Sequence, residues 1–388
     1  MRAVSYSKNN QLTLLYRGSE FFPALVRAID AAHAEIYLEI YIFAEDNTAV
    51  EIKTALMRAA QRGVAVYVLV DWLGTGRKTI KQLARDFASA GVNFRSFNPW
   101  FHRGLGRTHR KIMVVDRELA FLGGLNINDD LFSDDGSHIS LPAPRWDFAV
   151  AIHGQLVLSI QEAAAAQWLG YGIQDIKTRL QNLRRLRLQH AKPALTVAEA
   201  GLVVRDNLRN RRTIQRSLLH AIGHAHQSIY LVTPYFAPGR KLRHALAMAA
   251  SRGVQVTLMV GVGQFRLQDA VTQSFYPRLV RAGVALVEYS KTQLHAKVAV
   301  VDDEWATVGS SNYDGFSLFM NHEANIVVRD AEFATTLRSH IAQGVTEGRV
   351  VTTLEVESIG LWRRMLNWMA YLFYKSVLQI ITLGSYAK

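Results

Sequence analysis

Residues 108–129 read THRKIMVVDRELAFLGGLNIND, and residues 294–315 read LHAKVAVVDDEWATVGSSNYDG. Both stretches carry His-x-Lys, an Asp five residues after the Lys, a Gly seven further on and an Asn three beyond that. The pattern sets His109, Lys111, Asp116, Gly123 and Asn126 against His295, Lys297, Asp302, Gly309 and Asn312. One His-x-Lys alone reads as a solvated strand edge. A single His-x-Lys-x4-Asp arises by chance in about 0.02 of chains of this composition, and two in register are rarer by roughly a hundredfold more. On a strand, residues two apart share a face, so each His stands beside its Lys. The run KIMVVD reaches the polar turn Asp116-Arg117-Glu118 and returns as LAFLGG, which reads as a hairpin. The small residues after it let backbone approach a ligand.

Working outward, the chain repeats in three more places. AIDAAHAEIYLEIYIF at 28–43 matches AIGHAHQSIYLVTPYF at 221–236. ALMRAAQRGVAVYVLV at 55–70 matches ALAMAASRGVQVTLMV at 245–260, and AGV recurs at 90–92 and 282–284. Four matches in one order, at near-constant separation, mean a duplicated domain rather than a short-period solenoid. Each copy alternates helical patterns with short apolar β-branched runs. That predicts an α/β fold with a buried, partly parallel sheet in each copy. Two copies packed about a pseudo-twofold axis would bring two His, two Lys and two Asn together. The expected division is 1–165 for the first repeat, 166–200 for a basic helical linker, 201–358 for the second repeat and 359–388 for a C-terminal segment.

Composition narrows the chemistry. The 388 residues carry 45 Lys and Arg against 32 Asp and Glu, a net charge of +13, which points to an anionic partner such as nucleic acid or an anionic membrane. The linker holds Lys177, Arg179, Arg184, Arg185, Arg187 and Lys192 with no acid among them. No cysteine is present, which excludes disulfides, a thiol nucleophile and zinc–thiolate sites. The N-terminus has no basic-then-apolar leader pattern. Gly74–Thr79 lacks the glycines of a phosphate-binding loop, and Gly261-Val262-Gly263 is followed by Arg266 where a dinucleotide fingerprint needs glycine. His224 and His226 do not share a helix face. No metal site is expected.

The paired motifs resemble those of the phospholipase D superfamily, whose mark is two histidine–lysine–aspartate motifs. Within it, VGSSNYDGFSLFMNHEANIVV at 308–328 looks like the bacterial cardiolipin synthase group, in its shorter, B-like branch. The resemblance implies a duplicated phospholipase D-like fold: two α/β/α sandwiches with mixed sheets about a pseudo-twofold axis. It implies phosphatidyl transfer between phosphatidylglycerol molecules through a covalent phosphohistidine, with no metal or other cofactor. It implies anionic phospholipid and a membrane surface as partners, no nucleic acid, and a peripheral place on the cytoplasmic side of a bacterial inner membrane. The nearest rival is a hydrolase of the same superfamily acting on phospholipid or nucleic acid.

The residues support such chemistry. A phosphodiester gains negative charge in its transition state, and Lys111, Lys297, Asn126 and Asn312 can stabilise it. Ser310 joins them as a phosphate-binding candidate, with Gly124 in its place in the first copy. One His must be neutral to attack, and the other must carry a proton for the leaving alkoxide. Asp147 and Glu323 occupy matching places before FAV and ANIVV, and the resemblance makes them the carboxylates that orient the histidines. Asp116 and Asp302 are expected to brace the site from its side. At the C-terminus, Arg363, Asn367, Tyr371, Lys375 and Gln379 form a drifting polar stripe on an otherwise apolar segment rich in Trp and Tyr. This reads as a helix lying in a bilayer interface, with a docked core helix as the alternative.

Overall fold

The computed structural model describes residues 4–102, 104–134, 139–170, 198–206 and 210–381. The basic stretch 177–192 lies outside the described residues. The first half runs β1 (Ser7–Tyr16), α1 (Arg17–Ala31), β2 (Glu35–Ile40), α2 (Asn47–Gln61), β3 (Ala65–Asp71), the single turn α3 (Trp72–Thr75), α4 (Arg77–Ser89), β4 (Asn93–Phe97), β5 (Ile112–Val115), β6 (Leu119–Gly123), β7 (Phe148–Gly154) and α5 (Leu156–Gly170). The second half repeats the order as β8 (Ala198–Arg205), α6 (Thr213–Gly223), β9 (Ser228–Thr233), the short β10 (Phe236–Ala237), α7 (Arg240–Ser251), β11 (Gln255–Gly261), α8 (Arg266–Gln273), α9 (Tyr276–Arg281), β12 (Ala285–Tyr289), β13 (Val298–Val301) and β14 (Trp305–Gly309). It closes with β15 (Tyr313–Asp314), α10 (Gly315–Phe319), β16 (Glu323–Arg329), α11 (Ala331–Glu347), β17 (Arg349–Val351), α12 (Thr353–Ser358) and α13 (Leu361–Ile381).

In each half three strands are parallel, β2-β3-β4 and β9-β11-β12, and the hairpin β5-β6 or β13-β14 continues the sheet antiparallel. The parallel strands are nearly all apolar because helices cover both faces, with α5 on the inner face of the first half and α11 on that of the second. β1 pairs with β8, so the two expected mixed sheets run on as one 15-stranded sheet. Three cores result. One lies under α1, α2 and α4, and one lies under α6 to α9. The third, built around Trp146, Phe148, Tyr289 and Ile326, takes side chains from strands of both halves and from α5 and α11, and fastens the halves together.

The hairpins turn at Asp116-Arg117 and Asp302-Asp303, all four at positive φ, a left-handed conformation that aspartate tolerates. Asp116 accepts hydrogen bonds from the N–H groups of His33, Ala34 and Glu35 at 2.8–2.9 Å. Asp302 does the same for His226, Gln227 and Ser228 at 2.6–2.9 Å. Each carboxylate thus pins the loop entering the first parallel strand of its half.

α13 is docked on the second half through part of its polar stripe. Asn367 is buried, Tyr371 packs on Phe275, and Tyr374 Oη accepts from Gly315 N–H, so this side faces the protein. Leu361, Trp362, Leu366, Trp368 and Phe373 face outward, with Trp362 76% exposed. Among the described residues, no helix is long and apolar enough to cross a membrane.

Candidate active site

The site forms where the halves exchange backbone hydrogen bonds. His109 N–H donates to His322 O at 2.8 Å, and His295 N–H donates to Trp146 O at 3.0 Å. His322 and Trp146 immediately precede Glu323 and Asp147. Each motif strand is therefore laid against the segment carrying the other half's carboxylate, and the pairing is crossed. His109 Nδ1 lies 3.1 Å from Glu323 Oε2, and His295 Nδ1 lies 2.5 Å from Asp147 Oδ2. The expected carboxylates thus stand at the expected histidines, each across the pseudo-twofold.

Lys111 and Lys297 are buried in the same place, and each donates Nζ to the backbone oxygen of its own histidine. Burial, followed by the charge of Lys297, pushes the Lys111 ammonium down to about 7. Burial pushes Lys297 down to about 8 against the pull of Asp147. Two desolvated ammonium groups side by side form a ready receptor for a phosphodiester. Asn126 and Asn312 are buried on the loops after β6 and β14. Asn126 Oδ1 accepts from Ile42 N–H at 3.3 Å, while Asn312 Oδ1 has no partner.

Two expectations are revised. Ser310 was expected at the phosphate, but its buried hydroxyl donates to Glu323 Oε2 at 2.5 Å and accepts from Ala324 N–H at 3.1 Å. It steadies the carboxylate instead. Gly124 fills the matching place in the first half, where a Cβ would lie 2.2 Å from Asp147 Oδ1. Asp147 has only one methylene and needs that space, which accounts for the Gly-for-Ser difference. Asp116 and Asp302 were expected to brace the site, yet they cap the far ends of the hairpins. Five residues of strand separate Asp116 from Lys111, about 16 Å.

The histidines are not equivalent. His109 Nδ1 faces two acceptors, Ser310 O at 3.0 Å and Glu323. It must carry the ring proton. Burial pushes the His109 pKa down, with Glu323 opposing, so the ring is neutral and Nε2 presents a lone pair. Tyr41 stands edge-on to this ring at 4.8 Å. His295 faces a carboxylate on each side, because Asp134 Oδ2 lies 3.3 Å from its Nε2. Burial alone would raise the Asp134 pKa, but His295 and Arg145 hold it below the usual range, so it is ionised. Burial and Lys297 lower the pKa of His295, and burial raises that of Asp147. His295 thus presents Nδ1 to Asp147 and Nε2 to ionised Asp134.

Asp134 is the residue that sequence reading missed. Gln293 Nε2 donates to it at 2.7 Å, and Arg145 lies 3.7 Å away. It falls outside the repeated blocks, so the signal that found the other residues could not reach it. Among the described residues, no group of three or more His, Asp or Glu side chains is arranged to hold a metal ion.

Comparisons with known proteins fit this geometry. A family model described as cardiolipin synthase, phospholipase D-like domain, matches residues 25–139 and 218–344, one copy in each half. Cardiolipin synthase B of Salmonella typhimurium is 37% identical over 348 residues, covering 88% of this chain and 81% of that protein. The Escherichia coli K12 cardiolipin synthase B is 35% identical over 345 residues, 87% of this chain and 81% of the other. Among solved structures, phosphatidylserine synthase of Haemophilus influenzae superposes with a TM-score of 0.69 at 16% identity, covering 96% and 95% of the two chains. A polyphosphate kinase from Porphyromonas gingivalis gives 0.53 at 16% identity over 86% of this chain and 49% of that one, which shows shared fold alone. With two matched copies and relatives above 30% identity over most of its length, the chain belongs to the cardiolipin synthase family of phospholipase D-like enzymes.

Proposed function

We propose that the protein makes cardiolipin at a membrane surface by moving a phosphatidyl group from one phosphatidylglycerol to another. The observation that carries the reading is the unequal environment of the two histidines. His109 Nε2, with its lone pair free, attacks the donor phosphorus. The bond from phosphorus to the glycerol headgroup oxygen breaks, and His295 Nε2–H gives that oxygen its proton. Glycerol leaves and the phosphatidyl group rests on His109. A terminal hydroxyl of a second phosphatidylglycerol then gives its proton to His295 and attacks phosphorus. The phosphorus–nitrogen bond breaks and cardiolipin is released. Lys111, Lys297, Asn126 and Asn312 stabilise the charge that builds on the phosphoryl oxygens in both steps. One phosphodiester is exchanged for another, so no nucleotide is consumed.

A lipid substrate is favoured over nucleic acid by what surrounds the site. The segments that follow β3, β4, β6 and β11, including α3 and the start of α8, leave the sheet at its catalytic end. They expose Leu73, Trp100, Phe101, Leu131, Ile139 and Leu267. α13 adds its outward apolar side. Exposed apolar groups clustered at one end mark a membrane-contact face. The net charge of +13 would draw that face to an anionic cytoplasmic leaflet. The test is incubation of pure protein with phosphatidylglycerol vesicles in the presence of a chelator, with lipid and glycerol measured. Cardiolipin and glycerol in equal amounts support the reading. Phosphatidic acid as the sole lipid product means a hydrolase.

A further inference from the structure

The repeat places the two halves in residue-by-residue register, and at one pair of positions the charge changes while the packing does not. The ALMRAA and ALAMAA runs set α2 on α7, so buried Ile52 and Leu56 match buried Leu242 and Leu246, and Lys53 matches Arg243. The AGV runs set α4 on α9, so Leu83 and Phe87 match Phe275 and Leu279, and Asp86 matches Arg278. In the first half Lys53 Nζ meets Asp86 Oδ2 at 2.5 Å and ties the two helices together. In the second half the same two places hold two cations.

Between them lies a cleft of about 140 Å³ walled by Arg240, Arg243, His244 and Arg278, with Phe275 and Leu279 beneath. One water needs roughly 10–15 Å³ on this measure, so the cleft admits a phosphate with its ester substituent. No carboxylate lines it. Arg243 stacks on the Phe275 ring at 4.9 Å, and its Nε is buried without an acceptor. The start of α7 has the wrong sign as well. Its first turn holds no acid, and its N-cap Gly239 provides no side-chain acceptor, whereas Asp46 caps α2. Cations at a helix N-terminus oppose the helix dipole, and an anion there would offset both.

We propose that this cleft binds a phosphate-ester anion, and that its occupant is the headgroup phosphate of an anionic phospholipid, at a second site apart from the histidines. The choice of lipid rests on the membrane-surface reading above. The cleft floor, Phe275, also packs on Tyr371 of α13 at 5.1 Å. A phosphate held between Arg243 and Arg278 therefore adjoins the helix whose outer side is apolar, where acyl chains can remain in the bilayer. The bound lipid would anchor the second half and hold the site mouth against the surface.

The test uses the full chain and reads binding without turnover, so it stands even if no cardiolipin is made. Arg278→Asp rebuilds the ion pair of the first half and should fold. Arg278→Gln is the second variant. Arg281→Asp, at an exposed position outside the cleft, carries the same net charge as Arg278→Asp. Partition is measured onto phosphatidylcholine vesicles with and without phosphatidylglycerol, and thermal unfolding is measured with inorganic phosphate against chloride of equal ionic strength. The proposal expects both Arg278 variants to bind phosphatidylglycerol vesicles at least about fivefold more weakly than Arg281→Asp, the effect of losing a charge-assisted contact. Turnover of dispersed short-chain phosphatidylglycerol should be unchanged. Equal vesicle losses at 278 and 281 overturn the lipid site. If phosphate stabilises the wild type and not the Arg278 variants while vesicle losses stay equal, the occupant is a soluble phosphate and the lipid assignment falls.

Discussion

Replacing Asp147 by Asn tests the crossed pairing and the division of labour together. The substitution keeps the shape of a fully buried side chain and removes the charge 2.5 Å from His295 Nδ1. A hydrogen bond to a charged group contributes roughly 1.5–3 kcal/mol, and a positioned general acid contributes about 10²–10⁴ in rate. Each tenfold is about 1.4 kcal/mol, so the hydrogen bond alone gives about 10- to 10²-fold, and the loss in turnover should lie between about 10 and 10⁴, the upper end if acid catalysis goes with it. The same replacement in the serine-protease triad lowers turnover by about 10⁴, which marks the upper end. The informative assay varies the leaving group. Glycerol must be protonated as it departs, whereas a nitrophenyl phosphatidyl ester loses its group as a stable anion. With the activated donor, Asp147→Asn should release nitrophenolate in the first turnover at close to the wild-type rate. Glu323→Gln disturbs the attacking His109 and should stay slow with both donors. Equal losses for Asp147→Asn with the two donors would refute the assignment of His295 as the acid.

His109→Ala and His295→Ala should each abolish phosphatidylglycerol turnover, and the double variant should lose little more, since both serve one site; a single variant with a large fraction of wild-type activity contradicts a shared site. Rapid quenching with labelled donor should place the label on His109, and a label on His295 reverses the roles. In the free enzyme Lys111 is pushed down to about 7 by burial, so its charge is lost as pH rises through that value. kcat/KM should therefore fall on the alkaline side, and Lys111→Arg, which stays charged, should move that limb upward, as a pH profile will read. Burial would raise the Asp302 pKa, but three backbone N–H groups hold it below the usual range, so its stabilisation is present above pH 3.8 and fades as pH falls further. Asp302→Ala should lower stability to urea by about 3 kcal/mol while the folded fraction still reacts, and loss of turnover without loss of stability would return Asp302 to the site.

Much of the site was legible because duplication repeats whatever chemistry needs twice. His109 and His295, Lys111 and Lys297, and Asn126 and Asn312 stand out since each has a mate in register. Asp147 and Glu323 were readable in the same way, as carboxylates before matched apolar strands. Asp134 has no mate, and it reaches His295 only because Gln293 and Arg145, from opposite halves, hold it there. Ser310 was read as a phosphate ligand because it sits beside the motif, but hydroxyl direction depends on the nearest acceptor, which is Glu323. The sequence left open whether the C-terminal helix lies in a bilayer interface or docks on the domain. Burial of Asn367 and the packing of Tyr371 and Tyr374 dock it by part of its polar stripe and leave its apolar side outward.

Local order in this chain is a matter of sequence. Alternating helical and β-branched runs set the elements, their near-constant separation set the duplication, and residues two apart on a strand set each His beside its Lys, because those periods follow from backbone geometry alone. Which carboxylate meets which histidine is a matter of tertiary structure. The sheet joins through β1 and β8, and the segments 146–147 and 322–323 cross to the opposite motif. No local rule reaches across the 148 and 214 residues between partners; burial of the shared core around Trp146 and Tyr289 brings them together. The same packing sets His109 Nδ1 against two acceptors and His295 between two carboxylates, a difference between two matched motifs that arises from their neighbours.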